Sequence, residues 1–361
     1  MSERTVIPFG PQHPVLPEPI HLDLVMEDER VVQAIPQLGF IHRGLERLVK
    51  TRDYMHFVYV TERICGICSF GHSYGYSQTI ERLMGIEVPM RAEYLRVIWF
   101  ELSRIHSHLL WMGLAADSFG YENLFYQCWR LRERVLDIFE KTTGGRVILS
   151  ACNVGGVNYD IDNSELAGIS QIIQKLKRDA KPLIKALVKD RSIKDRLVGS
   201  GYLSREDAIK LSIVGPFARA SGVEEDLRMH GVGGYGELAE FKPQTSTQGD
   251  NYARVAVRCN ELLQSCDIVC EMIDKIPDGP ICDKPKGNPP EAQGIGRVEQ
   301  PRGEVVYYVK GNGTRFLERF RIRTPTSQNV AGMVQLLQGC ELSEVPLNIL
   351  TIDPCISCTE R

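Results

Sequence analysis

No run of about 18 apolar residues, the length a membrane-spanning helix needs, occurs in the 361-residue chain. The most apolar stretch, residues 95–116, carries Arg96, Glu101, Arg104, His106 and His108, a set that a bilayer tolerates badly. The opening MSERTVIPFG lacks the basic and then apolar layout of a secretory signal. Neither sign of charge dominates: 43 Lys+Arg face 46 Asp+Glu, a net charge of −3, so there is no electrostatic case for nucleic acid. Internal repeats, low-complexity tracts and blocks of like charge are also missing. Paired histidine ligands are missing too: His106 and His108, two apart, point to nearly opposite helix faces and make poor joint ligands. Cysteine is what the chain has in plenty. Eleven cysteines without an export signal argue against a disulfide framework, and an odd number cannot all pair. They read as metal ligands or buried apolar thiols.

Length alone fits two or three average domains or one large one. Five prolines between residues 8 and 19 forbid a helix near the start. Short β-type runs, 21–25 and 30–32, flank the polar turn Glu27-Asp28-Glu29. A helix is expected from about Gly44. The clearest helix is 91–117, with Leu95, Ile98, Trp99, Leu102, Ile105 and Leu109 at helical spacing. Others are expected over 124–141, from Asp162 or Asn163 to Val188, and from Asp250 to Ile273. Residues 276–301, rich in Pro and Gly, read as a long functional loop. β-type runs at 304–309 and 315–323 are joined by Gly311-Asn312-Gly313, a hairpin signal, and a short helix follows at 328–337. The fold class is α+β and mainly helical. A central bundle of long helices has small β-sheets near the N-terminus and in the C-terminal third.

Two CxxC pairs stand near opposite ends: Cys65-Gly66-Ile67-Cys68 and Cys355-Ile356-Ser357-Cys358. Such a turn brings both sulfurs to one side, where they can share a metal. Zinc-ribbon pairs usually lie about 15 to 20 residues apart, far closer than these, so a zinc staple and a reactive metal weigh about equally on spacing. A thioredoxin-type motif lacks its βαβ surroundings. Of the other cysteines (128, 152, 259, 266, 270, 282 and 340), Cys259, Cys266 and Cys270 share one helix face and read as a buried stripe. No further set has iron–sulfur spacing.

The flanking residues decide more than the spacing. Arg63-Ile64-Cys65-Gly66-Ile67-Cys68-Ser69-Phe70-Gly71-His72 and Asp353-Pro354-Cys355-Ile356-Ser357-Cys358 resemble the RxCGxCxxxH and DPCxxC signatures of [NiFe] hydrogenase large subunits. Gly10-Pro11-Gln12-His13-Pro14, Glu18-Pro19 and His42-Arg43-Gly44-Leu45-Glu46 resemble the energy-converting, membrane-associated branch. That branch is related to the quinone-site subunit of complex I, which lacks the four cysteines. The start is closer to the Ech-type and carbon-monoxide-dehydrogenase-linked members than to the formate-hydrogenlyase large subunit. The resemblance spans essentially the whole chain. It implies one large-subunit domain over 1–361, with an N-terminal hairpin region (1–40), a helical body (41–275) and a loop, hairpin and metal-binding tail (276–361).

The resemblance also implies roles. A Ni–Fe centre with CO and CN ligands on iron would be held by Cys65 and Cys355 on nickel and by Cys68 and Cys358 bridging both metals. Thiolates are soft donors suited to low-valent metals. Cys355 would take the proton when H2 splits, with Glu18 as the relay. His72 would donate to a bridging sulfur. Arg302, beside Pro301, and the Thr326 hydroxyl would face the diatomic ligands, with the carboxylates of Asp117 and Asp353 lining the same canopy. Glu46 matches a glutamate near a magnesium site, but Arg361 stands where some relatives have a histidine. Its guanidinium would pair with Glu46 in place of the ion, and magnesium is not expected. Electrons would come from a small subunit with a [4Fe–4S] cluster. Further partners would be a ferredoxin-like polyferredoxin, membrane ion-translocating subunits and carbon-monoxide dehydrogenase, with the chain peripheral on the cytoplasmic side of the membrane. The ending at Arg361 fits a processed form or a type made without a tail. Two rivals remain: a metal-free complex I-like subunit and a zinc-stapled interaction protein.

Overall fold

The computed structural model describes residues 4–14, 16, 18–238 and 240–361. Three antiparallel strands come first: β1 (Arg4–Phe9), β2 (His21–Glu27) and β3 (Arg30–Gln37), in the order β1-β2-β3. The β2–β3 turn places Asp28 at φ 55°, a left-handed conformation that Asp tolerates better than most residues. Where sequence suggests a helix from Gly44, the chain makes only a 3-10 helix, Leu45–Lys50. The first α-helix, α1 (Tyr54–Glu62), starts at Asp53, whose carboxylate accepts from the Met55 amide at 2.8 Å.

The body is built on α2 (Ser69–Met84), α3 (Met90–Ser118) and α4 (Glu122–Thr143), followed by the two-residue strands β4 (Cys152–Asn153) and β5 (Gly156–Val157). The long α5 (Asn163–Lys189) comes next, then the short α6 (Arg191–Leu197), α7 (Arg205–Lys210) and α8 (Pro216–Arg219), and then α9 (Asn251–Lys275). Asp162 and Asp250 cap α5 and α9 by accepting from the amides of Glu165 and Ala253, each at 2.8 Å. The 29 residues of α3 make a rod of about 44 Å. It is buried on nearly every side, as befits a helix at the centre of a bundle, with α4 and α9 against it. Cys259 and Cys266 lie buried on α9, and burial pushes the Cys259 thiol up to about 12, which makes it inert packing.

The second sheet corrects the sequence reading. Residues 293–300, within the expected loop, form β6 (Gln293–Gln300), which pairs with β7 (Gly303–Lys310), and β7 with β8 (Arg319–Arg323). Gly294 and Gly296 look like loop residues in sequence. In the fold they let β6 press on α2: a Cβ on Gly296 would lie 2.1 Å from Thr79 Oγ1. The helix α2 itself has no counterpart in the sequence reading. All of Ser69 to Glu81 is buried, yet the segment is mostly Ser, Gly, Tyr, His and Thr, so no apolar stripe marks it. The chain closes with α10 (Pro325–Leu337), α11 (Val345–Ile352) and α12 (Ile356–Glu360). Met333, Leu336, Ile349 and Ile352 share a core with Leu22, Leu24 and Met26 of β2, so the first sheet and the last helices hold each other.

Candidate metal centre

Each CxxC pair sits at the start of a helix. Cys65 lies in the turn after α1 and Cys68 immediately precedes α2. The Ile67 and Cys68 amides point back at the Cys65 sulfur, at 3.3 and 3.5 Å. The second pair begins where α11 ends. There Asp353 turns left-handed at φ 61°, Pro354 follows, and Cys355 immediately precedes α12. The Cys355 amide donates to Thr326 Oγ1 at 2.9 Å.

The two pairs meet. Cys65 Sγ lies 3.4 Å from Cys355 Sγ, and Cys68 Sγ lies 3.5 Å from Cys358 Sγ. All four side chains are only 1–2 % exposed, so the sulfurs face one another and not water. His72, one turn into α2, brings Nε2 to 3.4 Å from Cys358 Sγ and 3.7 Å from Cys68 Sγ. Burial takes its imidazole down to about 4, so the ring is neutral at ordinary pH. Hydrogen bonds from Cys355, Cys358 and Cys68 hold the Cys65 thiol well below the usual range, whereas burial drives that of Cys358 well above it. Four crowded, buried thiols cannot all ionise when only protons are available, because each thiolate opposes the next. A multivalent cation is what lets such a set ionise together. The donor set fits a soft metal centre: four thiols in two facing pairs, with an imidazole beside one pair.

Around the sulfurs stand the other residues singled out from sequence. Glu18 Oε1 accepts from Cys355 Sγ at 3.6 Å and from Ser357 Oγ at 3.2 Å. Its Oε2 takes the amides of Ile356 and Ser357. Burial, and next the charge on Cys65, raise the Glu18 carboxyl above its ordinary value, which favours its holding a proton. Pro301 and Arg302 make the tight turn between β6 and β7. From there Arg302 Nη2 reaches Asp353 Oδ1 at 2.7 Å and its Nε reaches the Asp353 carbonyl at 2.9 Å. Both side chains are buried. Asp117 is not brought in. It is exposed on the last turn of α3, so the canopy carboxylate expected there is absent, and Ser107, ten residues earlier on the same helix, faces Arg302 at 3.5 Å. The α3 pattern gave no hint of Ser107, because a serine inside an apolar helix carries no sequence signal of its own.

Two further groups escaped the sequence reading. Tyr307 Oη lies 3.0 Å from His72 Nδ1, and Gln300 Nε2 donates to the Tyr307 hydroxyl at 3.4 Å. The motif around Glu46 clips the second pair in place. His42 Nδ1 stands 2.6 Å from the Glu360 carbonyl, and Arg43 Nη2 donates to the carbonyls of Ile64 (2.8 Å) and Ser357 (2.9 Å). Arg361 Nε donates to Glu46 Oε1 at 2.9 Å.

Two family models match the chain. One, described as the respiratory-chain NADH dehydrogenase 49 kDa subunit, matches residues 119–290 and 284–361. The other, described as nickel-dependent hydrogenase, matches residues 43–115, which hold Glu46, Cys65, Cys68 and His72. The chain is 40% identical to the membrane-bound hydrogenase subunit alpha of Pyrococcus furiosus, over 98% of this chain and 87% of that one. It belongs to the family that unites membrane-bound hydrogenase subunits with the 49 kDa subunit of complex I. Within that family it is 35% identical to the carbon monoxide-induced hydrogenase of Rhodospirillum rubrum over the whole of both chains. A chain in the structure of the membrane-bound sulfane sulfur reductase, an archaeal respiratory membrane complex, superposes with a TM-score of 0.94. It is 30% identical, with 99% of each chain covered. The family consists of oxidoreductase subunits, and the Pyrococcus hydrogenase and the sulfane sulfur reductase are membrane-bound. Among the described residues, no helix of this chain is long and apolar enough to cross a membrane.

The Glu46 clip gives a direct expectation. Burial alone would raise this carboxyl. The Ile322 amide and the Arg361 and Arg321 guanidinia outweigh burial and hold it below the usual range. A carboxyl lower in the folded state stabilises above its unfolded value, about 4.3, and that contribution is lost as pH falls through the folded value. Glu46→Gln should therefore loosen residues 355–361 at neutral pH and remove their loosening in acid. For a partly exposed charged bond of about 1–2 kcal/mol, amide exchange in that segment should quicken roughly 5- to 30-fold. Unchanged exchange would show that the clip is dispensable.

Proposed function

We propose that this chain is the catalytic subunit of a [NiFe] hydrogenase, reducing protons to H2 and running the reverse. The reading rests on one observation: two cysteine pairs from opposite ends of the sequence place four buried sulfurs within 3.4–3.5 Å across the pair-to-pair contacts. Cys65, Cys68, Cys355 and Cys358 would hold the Ni–Fe centre with its CO and CN ligands. When bound, the centre supplies the electron and proton chemistry of H2, which no amino-acid side chain offers.

The chain's own residues do the rest. Cys355 Sγ can hold a proton and pass it to Glu18 Oε1, 3.6 Å away. That carboxylate is already raised toward the protonated form, which is what a proton acceptor beside a thiol needs. His72 donates to the facing sulfurs of Cys68 and Cys358 and tempers their basicity. Arg302, pinned by Asp353, keeps a buried positive charge next to the thiolates, and Thr326 fixes the backbone of Cys355. The tight packing of α2, α12 and the β6–β7 turn excludes water.

No cluster-binding cysteine set accompanies the four, so electrons would arrive from a small subunit with a [4Fe–4S] cluster. A ferredoxin-like polyferredoxin and ion-translocating membrane subunits would complete the complex on the cytoplasmic face, with carbon-monoxide dehydrogenase as the donor. The match to the 49 kDa subunit supports a second reading, a metal-free electron-transfer subunit.

Infrared spectroscopy of the complex purified from its native host separates them. Stretching bands of metal-bound CO and CN that shift under H2 are expected. A fully assembled complex with no such bands, and with zinc or no metal, would overturn the hydrogenase reading.

A further inference from the structure

His72 presents its two ring nitrogens to different partners, and a neutral imidazole carries an N–H on only one of them. Its Nε2 faces the sulfurs of Cys358 and Cys68, at 3.4 and 3.7 Å. A thiolate bound to metal can only accept a hydrogen bond, so the imidazole is useful there only with the proton on Nε2. The partner of the other nitrogen then decides the tautomer. That partner is the hydroxyl of Tyr307, 3.0 Å from Nδ1.

The Tyr307 hydroxyl has one proton and two places to send it. The second is the Gly71 carbonyl, at 3.2 Å. Gly71 lies inside α2, where a carbonyl takes its ordinary bond from the amide four residues on. His72 Nδ1 is closer and has no helical partner. Gln300 Nε2, which can only donate, approaches the Tyr307 oxygen at 3.4 Å. It fills an acceptor position on that oxygen and leaves the O–H free for His72. All three side chains are buried, at 0–1 % exposure, so water does not compete.

The sequence makes room for this contact. A Cβ on Gly75 would lie 2.2 Å from the Tyr307 ring, and a Cβ on Gly71 would lie 2.9 Å from Gln300 Nε2. Two glycines one helical turn apart, on either side of His72, open the slot through which β6 and β7 deliver Gln300 and Tyr307 to the imidazole.

We propose that Tyr307 is a positioning residue for the metal centre. Its O–H donates to His72 Nδ1, which fixes the ring proton on Nε2 and aims it at the Cys358 and Cys68 sulfurs. This rests on the hydrogenase reading for the role of those sulfurs, but the tautomer itself does not depend on it.

The test is Tyr307→Phe in the complete complex, checked for assembly and for nickel and iron content. Loss of the hydroxyl unfixes the proton, the sulfurs gain electron density, and the CO band should move to lower wavenumber. His72→Leu should move it further in the same direction, and Tyr307→Phe added to His72→Leu should change nothing more. An unshifted CO band in a fully loaded Tyr307→Phe complex overturns the proposal while leaving the hydrogenase reading intact. If the unaltered complex shows no CO or CN bands, or if the variant does not assemble, solid-state 15N spectra of histidine-labelled unaltered complex decide. The His72 signals are assigned by their loss in His72→Leu. A protonated Nε2 and bare Nδ1 support the proposal, and the opposite tautomer overturns it.

Discussion

Cys355→Ser is expected to remove nickel from the purified complex and to lower H2 evolution on the order of 10^3-fold or more. Groups that act only as a unit lose nearly the whole effect when one is removed. The substitution is gentle on the fold. The bond that seats this residue comes from its backbone amide to Thr326, and a serine hydroxyl can still donate to Glu18. The segment around it stays anchored by Glu18 on the Ile356 and Ser357 amides, by Arg43 and His42, and by Arg361 on Glu46. The complex should therefore assemble with its partner subunits present and its metal absent. Metal analysis beside a gas-evolution assay reads both. Full H2 evolution in the assembled variant would overturn the place of Cys355 at the centre, and an unaltered complex with neither nickel nor H2 evolution would favour the metal-free electron-transfer reading instead.

Glu18→Gln should separate proton movement from everything else at the site. One glutamine oxygen can still accept from the Ile356 and Ser357 amides that Oε2 now takes, so the second cysteine pair keeps its place. What the amide cannot do is take a proton from Cys355 Sγ. Positioned acid–base groups contribute about 10^2- to 10^4-fold, and H2 evolution should fall within that range. Nickel content and the infrared bands should stay as in the unaltered complex, and exchange between D2 and water should slow in step with turnover. If the variant keeps its rate, protons leave by another route and Glu18 is reduced to an anchor of the α12 amides.

The four sulfurs were legible because their flanking residues form signatures, not because spacing brings them together. Nothing in periodicity links Cys65 to Cys355. The long helices were legible for the opposite reason, since Leu95 to Leu109 repeat at helical spacing and Asp162 and Asp250 are capping residues at the right places. The polar helix α2 was illegible: its burial comes from Tyr, Ser and Gly packed between sheets and helices, which leaves no hydrophobic rhythm. For the same reason β6 passed for loop, as its glycines serve contact with Thr79 and not flexibility. Asp117 shows the limit of motif position. On a helix, a shift of a few residues moves a side chain from the core to solvent, and the residue that turns toward Arg302 is Ser107. Tyr307 lies on an expected strand and Gln300 in the stretch that passed for loop, and nothing local ties Tyr307 to His72, 235 positions away.

The sulfur pairs come from segments 290 positions apart, and this sets an order of events during synthesis. The Cys65–Cys68 turn leaves the ribosome long before its counterpart exists. At about 5–20 residues per second, it waits on the order of fifteen to sixty seconds as half a site. Through that interval the two thiols must stay reduced and uncommitted, and a metal that arrived then would find only two of its four ligands. The helical body can meanwhile form around α3 from contacts that do not need the second pair. Closure by α12, with Glu18, Arg43 and Glu46 as its receiving surface, then becomes a late docking step on a body already folded. Once α12 is seated the four sulfurs are buried, so under the hydrogenase reading loading has to precede that docking or accompany it, and the moment of closure decides whether a filled or an empty site is sealed.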